Sequence, residues 1–275
     1  MPDERIAMER LAGQVRGKKL FLLDIDGTIS FDATPIDGTL DFCRRVREIG
    51  GKYIFITNNS TIGNADYVKK FLKMGIDVDE SSFITATTAT VRYLREHHAN
   101  DRIFVLGTKS LIAELRKQGF SVTEDVEPGI DLVVAAFDNE LTYEKLKRAC
   151  ELLETRTLPF IATNPDLVCP VGFGYVPDCG SICQMLTTAT GKEPVYVGKP
   201  NPIIVEMALD ATGYSLADTL VIGDRLYTDI AVGNNAGADT LVVFTGEAKM
   251  EDLAETEFPP TYYTETIRGL YEALL

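Results

Sequence analysis

The sequence predicts an α/β protein, a doubly wound and mostly parallel sheet with a second α/β unit inserted into it. Three observations carry this. Leu20-Phe21-Leu22-Leu23 is an unbroken apolar run, as expected of a strand buried on both faces of a parallel sheet, and it ends in Asp24-Ile25-Asp26-Gly27-Thr28. The same theme returns near the other end, where Thr219-Leu220-Val221-Ile222-Gly223 runs into Asp224. Between them the strand–helix alternation restarts near Ala86, so residues 1–85 and 180–275 read as one unit and 86–179 as the inserted one.

In order, Phe31–Pro35 reads as a loop and Ile36–Ile49 as a helix, with Leu40, Cys43 and Val46 at helical spacing and Gly50-Gly51 as its stop. Lys52–Thr57 is a second strand, and Asn64 is placed to cap a helix that Gly75 closes. Ser82–Thr85 fits a short strand. In the inserted unit, helices are expected at Thr87–His97, Ser110–Gln118 and Tyr143–Glu154, and strands at Ile103–Leu106, Leu132–Ala136 and Pro159–Ala162. Thr163–Asp178, with three prolines and two glycines, has loop composition. A helix over Ser181–Thr190 leads back to Val195-Tyr196-Val197-Gly198-Lys199-Pro200. Asn201-Pro202 then opens a helix in N-cap and N1 order. Leu241–Phe244 is a further strand, and Ile267, Leu270, Tyr271 and Leu274 mark a closing helix.

Composition narrows the function. With 45% apolar residues and no long apolar run, the 275-residue chain reads as soluble, without a membrane span. Residues 1–18 lack the apolar core of a secretory signal. The net charge of −14 argues against nucleic acid and anionic membranes as partners, because both are bound through a surplus of Lys and Arg. A small phosphorylated metabolite needs only a local positive site and stays open. Five scattered cysteines form no disulfide framework and suit a reducing cytoplasm. The oligomeric state is open, a homo-oligomer included.

Four strand ends carry polar groups: Asp24 and Asp26, Thr57 and Asn58, Lys199, and Asp224 with Asp229. If the strands are parallel neighbours, these converge on one edge of the sheet, where ligands of open α/β sheets bind. Four carboxylates against one ammonium leave about three uncompensated negative charges, which requires a cation or bound protons. Hard oxygen donors with no His or Cys among them select Mg²⁺.

Asp24-Ile25-Asp26-Gly27-Thr28, Thr57, Lys199 and Gly223-Asp224-Arg225-Leu226-Tyr227-Thr228-Asp229 resemble, in order and spacing, the four motifs of the haloacid dehalogenase (HAD) superfamily. More narrowly, Thr57-Asn58-Asn59-Ser60, Gly198-Lys199-Pro200 and Asn235-Ala236-Gly237 resemble its NagD-like, p-nitrophenylphosphatase branch, whose large inserted α/β cap is of type C2. The resemblance implies a Mg²⁺-dependent phosphatase acting on a small phosphomonoester. Asp24 would be the nucleophile that becomes an aspartyl-phosphate, and Asp26 the general acid and then base. Thr57 and Asn58 would hold phosphoryl oxygens, and Lys199 would neutralise charge. Asp24, the Asp26 carbonyl and Asp224 would hold the metal, with Asp229 behind them. The same resemblance favours Asn164 and Asp166, in the Thr163–Asp166 turn, as substrate-selecting residues.

Two places depart from the family's pattern, Ser30-Phe31-Asp32 and Val176–Ser181 with Asp178 and Cys179. Both bear on the substrate rather than the chemistry. Other HAD reactions fit less well: a dehalogenase lacks an acid at the position of Asp26, and a phosphomutase usually has a smaller helical cap. An idle binding protein on the same scaffold is the rival from a different class.

Overall fold

The computed structural model describes residues 11–60, 62–171 and 173–275. In chain order its elements are β1 (Leu20–Leu23), β2 (Ser30–Phe31), β3 (Thr34–Pro35), α1 (Thr39–Glu48), β4 (Lys52–Thr57), α2 (Asn64–Lys73) and β5 (Phe83–Thr85). There follow α3 (Ala86–His97), β6 (Arg102–Leu106), α4 (Lys109–Lys117), β7 (Ser121–Thr123), β8 (Leu132–Ala135), α5 (Tyr143–Thr155) and β9 (Phe160–Ala162). The chain continues through β10 (Val168–Val171), β11 (Gly174–Pro177), α6 (Cys179–Thr190), β12 (Val195–Tyr196) and α7 (Ile203–Thr212). It ends with β13 (Thr219–Gly223), α8 (Ala231–Ala236), β14 (Asp239–Val243), β15 (Tyr262–Thr264) and α9 (Ile267–Ala273). Among the described residues no helix is long and apolar enough to cross a membrane.

The chain forms two compact units. One comprises the described residues of Met1–Thr57, Asn64–Ile84 and Pro200–Leu275, the other those of Asn58–Gly63 and Thr85–Lys199. The first holds a six-stranded sheet in the order β15-β14-β13-β1-β4-β5, with every pairing from β15 to β4 parallel. The earliest strand lies inside the sheet, and later strands are added on both sides of it. That makes the C-terminal end of β1 a topological switch point, where open α/β sheets bind ligands. The register brings the chemistry there: Leu23 is level with both Ile222 and Phe55. Asp24, Gly223-Asp224 and Ile56-Thr57 therefore leave the sheet along one edge. All four side chains of β1 are fully buried, which explains its uninterrupted apolar sequence.

The second unit is a five-stranded parallel sheet, β12-β9-β8-β6-β7. Its core joins Phe104, Val133 and Leu152 to Ile182, Cys183 and Leu186 of α6. The sequence-based boundary at 180 and the observed return at Pro200 differ for this reason. The apolar face of α6 packs on β8 and β9 residues, and β12 pairs with β9. Lys199 thus follows a strand of this second sheet, which corrects the expectation that all four polar strand ends share one sheet edge. Two stretches read as loops hold short antiparallel hairpins, β2–β3 and β10–β11, and β7 was not expected. In β3, β10 and β11 the Pro and Gly residues carry turn signals stronger than any strand signal, and the three residues of β7 are too few to show an alternation.

Candidate active site

In the first unit the site is built on the ends of β1 and β13. Asp24 still donates its N–H to Ile222 O at 2.9 Å, so its position is fixed by the sheet ladder. Asp224 is buried and held from three sides. Its Oδ1 accepts from Thr28 Oγ1 at 3.0 Å, its Oδ2 from the Glu247 N–H at 2.8 Å, and its carbonyl from the Ala248 N–H at 2.9 Å. Gly27 makes this approach possible. Its φ of 91° is left-handed, and a Cβ there would lie 2.8 Å from Asp224 Oδ2.

Asp229 sits on a turn widened to the π type over Leu226–Ile230, where the Ile230 N–H reaches back to Arg225 O at 3.1 Å. Its Oδ2 accepts from the Arg225 N–H at 3.0 Å. One carboxylate oxygen each from Asp24, Asp224 and Asp229 lie within 4.8 Å of one another. Burial, then the charge of Asp229, push Asp224 up to about 6, against the opposing hydrogen bond from Glu247 and the charge of Arg225. Such a cluster of hard oxygens suits a divalent cation such as Mg²⁺. The sequence set Asp229 behind the metal ligands, whereas the structure brings it as near as the other two.

The Asp26 side chain is half-exposed and lies 3.9 Å from Lys70 Nζ on α2. Lys70 carries no signal in the sequence, since nothing local links that helix to the β1 loop. Thr28 stood within the quoted motif without a role, and Glu247 reaches Asp224 through its N–H while its side chain pairs with Arg225 at 3.0 Å. Thr57, the last residue of β4, is buried.

The second unit holds Asn58, Asn164, Asp166 and Lys199, all buried. Asn58 Nδ2 donates to Asp166 Oδ2 at 2.6 Å and to Lys199 O at 3.0 Å, while Asn58 Oδ1 accepts from the Lys199 N–H at 2.8 Å. Asn164 Nδ2 donates to Asp166 Oδ2 at 2.9 Å and to Asp178 Oδ1 at 3.1 Å. Asp178 in turn caps α6 by accepting from the Cys179 N–H. Asn164 and Asp166, expected to select substrate, are thus packed in the interior of this unit. The thiols of Cys179 and Cys183 are unbridged and 3.9 Å apart. The hydrogen bond with Cys179, then burial, push the Cys183 thiol far up, which suits an unreactive core thiol.

Two models of protein families match the chain, one for haloacid dehalogenase-like hydrolases over residues 21–121 and one described as HAD-hydrolase-like over residues 196–270. The chain is 35% identical over 242 residues to the acid sugar phosphatase of Staphylococcus epidermidis, covering 88% of this chain and 92% of that protein. Its structure is similar to a 4-nitrophenylphosphatase from Thermotoga maritima, with a TM-score of 0.89 and 37% identity over 95% of this chain and 99% of that one. It is also similar to NagD from E. coli K-12, with a TM-score of 0.81 and 30% identity over 91% of this chain and 97% of that one.

Proposed function

Because the chain belongs to the haloacid dehalogenase-like hydrolases, in their NagD-like branch, we propose that it is a Mg²⁺-dependent phosphatase that hydrolyses a small phosphomonoester through an aspartyl-phosphate. The observation that carries the reading is Asp24 at the switch point of the sheet, clustered with Asp224 and Asp229. Asp24, the Asp26 carbonyl and Asp224 would hold the Mg²⁺, with Asp229 adjoining. Bound there, the ion would screen these carboxylates and polarise the phosphoryl group.

A carboxylate oxygen of Asp24 attacks phosphorus, forming the acyl phosphate as the bond to the leaving oxygen breaks. Asp26 gives that oxygen its proton. In the second half-reaction Asp26 takes a proton from water, whose oxygen attacks phosphorus and frees Asp24. The Thr57 hydroxyl, the Asn58 N–H and the Lys199 ammonium are assigned to the phosphoryl oxygens. The unit comprising residues 85–199 corresponds to the family's inserted cap, which would choose the leaving group. A reducing cytoplasm is the proposed compartment, in keeping with the free thiols.

The test is phosphate release from 4-nitrophenyl phosphate and from a panel of sugar phosphates and nucleotides, with Mg²⁺ and with excess EDTA. Turnover on at least one substrate, lost in EDTA and in Asp24→Asn, supports the proposal. An inert protein, or one equally active in EDTA, refutes it.

A further inference from the structure

We propose that Asp166 is a positioning residue that fixes the main chain of Lys199 through the side chain of Asn58. It rests on the phosphatase reading only for the role given to the Lys199 ammonium. The Asn58 amide pairs with both main-chain groups of Lys199, accepting from its N–H at 2.8 Å and donating to its C=O at 3.0 Å. It thereby acts like one rung of a β-ladder between residues 141 positions apart in sequence.

A primary amide has nearly the same shape when rotated by half a turn, and then the contacts reverse. Nδ2 would face the Lys199 N–H, donor against donor, and Oδ1 would face the Lys199 C=O, acceptor against acceptor. Lys199 itself disfavours the rotated form, and Asp166 adds to that preference. Its Oδ2 takes a hydrogen from Asn58 Nδ2 at 2.6 Å and would repel Oδ1 in the rotated form.

Asp166 is itself held by Asn164 Nδ2 at 2.9 Å, and Asn164 by Thr163 Oγ1 at 2.9 Å and Asp178 at 3.1 Å. Every one of these side chains is at most 9% exposed, so water has little access to replace a lost partner, and a broken bond leaves a buried polar group unpaired. The chain on either side of Lys199 is equally constrained. The Gly198 N–H donates to Thr163 O at 2.7 Å, and a Cβ on Gly198 would lie 2.5 Å from that oxygen and 2.6 Å from Asn58 Oδ1. Pro200 has a fixed φ and no N–H. A long, flexible lysine can deliver its ammonium reproducibly only from a fixed backbone, and the Asp166–Asn58 pair supplies that fixity. A residue buried for this purpose affects every substrate alike, unlike one that reads the leaving group.

The experiment compares Asp166→Leu, of similar size but without an acceptor, with Asp166→Asn, whose carbonyl can still accept from Asn58 and Asn164. Asp166→Leu should lower kcat roughly 10²-fold on every substrate without changing their ranking, as expected of a misplaced catalytic group. Asp166→Asn should recover to within about tenfold of the wild type on the same grounds. Added to Lys199→Ala, the Asp166→Leu change should cost less than about twofold more, because residues that act as a unit are non-additive.

An activity-independent arm follows amide hydrogen exchange in the whole protein. The Lys199 N–H should exchange at least about tenfold faster in Asp166→Leu, while the amides of Leu220–Ile222 keep their rates. If Asp166→Leu does not fold, Asp166→Ser, too short to reach Asn58, takes its place in both arms. A wild-type protein without phosphatase activity would defeat the functional reading, and exchange alone would then decide the role of Asp166. Additive losses with Lys199→Ala, a changed substrate ranking, or unchanged exchange at Lys199 would each overturn the proposal.

Discussion

Binding of Mg²⁺ should be coupled to the release of a proton from Asp224. That carboxyl is buried beside Asp229 and is pushed from 3.8 to about 6. At ~1.36 kcal/mol per pKa unit, the rise corresponds to about 3 kcal/mol by which the folded, metal-free protein favours the protonated form. The sign follows from that. The folded pKa lies above the unfolded one, so the stabilisation is fully present below 3.8 and is lost as pH rises through about 6. Metal-free protein should therefore melt several degrees lower at pH 7 than at pH 5, and Mg²⁺ should reverse this most strongly at pH 7. Affinity should move the other way, falling about tenfold from pH 7 to pH 5, where roughly nine in ten Asp224 side chains hold a proton. Calorimetry at pH 5 in buffers of different ionisation enthalpy should count nearly one proton released per ion. An affinity that is flat between pH 5 and 7, with no proton released, would refute the reasoning, because an ordinary aspartate is already ionised throughout that range.

Further expectations concern single side chains. Gly27→Ala would place a Cβ 2.8 Å from Asp224 Oδ2 at a φ of 91°, and should lower stability by about 1–3 kcal/mol and raise the Mg²⁺ needed for half-maximal activity. Denaturant melts and metal titrations check it. Asp26→Asn should slow hydrolysis of alkyl phosphates by ~10²–10⁴-fold, yet still give a rapid burst of nitrophenolate from 4-nitrophenyl phosphate, whose leaving group needs no proton. Rapid mixing checks the burst, and a variant that binds substrate normally without one removes Asp26 from the acid–base role. In the second unit, Lys145 Nζ lies 2.7 Å from Asp138, whose side chain is fully buried. Lys145→Met should destabilise that unit by about 3 kcal/mol, because a buried carboxylate is left unpaired. Thermal unfolding reads this, and a loss below about 0.5 kcal/mol would contradict it.

Much of the first unit can be read from sequence because its central strands are buried on both faces. Burial of that kind favours apolar side chains, so Leu20–Leu23 and the Leu220-Val221-Ile222 run stand out, and the acids that follow them stand out more. The approach of Asp24 to Asp224 follows from strand ends and register. Lys199 is different. The apolar pair Val195-Tyr196 suits an edge position in either sheet, and only tertiary pairing with β9 decides between them. The burial of Asn164 and Asp166 was equally hidden, since Asn-Pro-Asp is turn chemistry when its partners are unknown. Those partners are distant in sequence: Asn58 lies 108 residues from Asp166, and Asp178 lies 14 residues from Asn164. Asp229 owes its place to a π turn, for which local sequence gives no distinctive periodicity.

The central claim is that Asp24 becomes covalently phosphorylated. Asp26→Asn should accumulate that species, because water then lacks its general base. The variant is mixed with 4-nitrophenyl phosphate and Mg²⁺, quenched in acid within the burst phase, digested, and its peptides are weighed. The account predicts one added phosphoryl group on the peptide carrying Asp24, removed by hydroxylamine as an acyl phosphate is, and missing when Asp24→Asn is introduced as well. A burst with no phosphoryl group on Asp24, or a phosphoryl group that persists in the Asp24→Asn background, would contradict it.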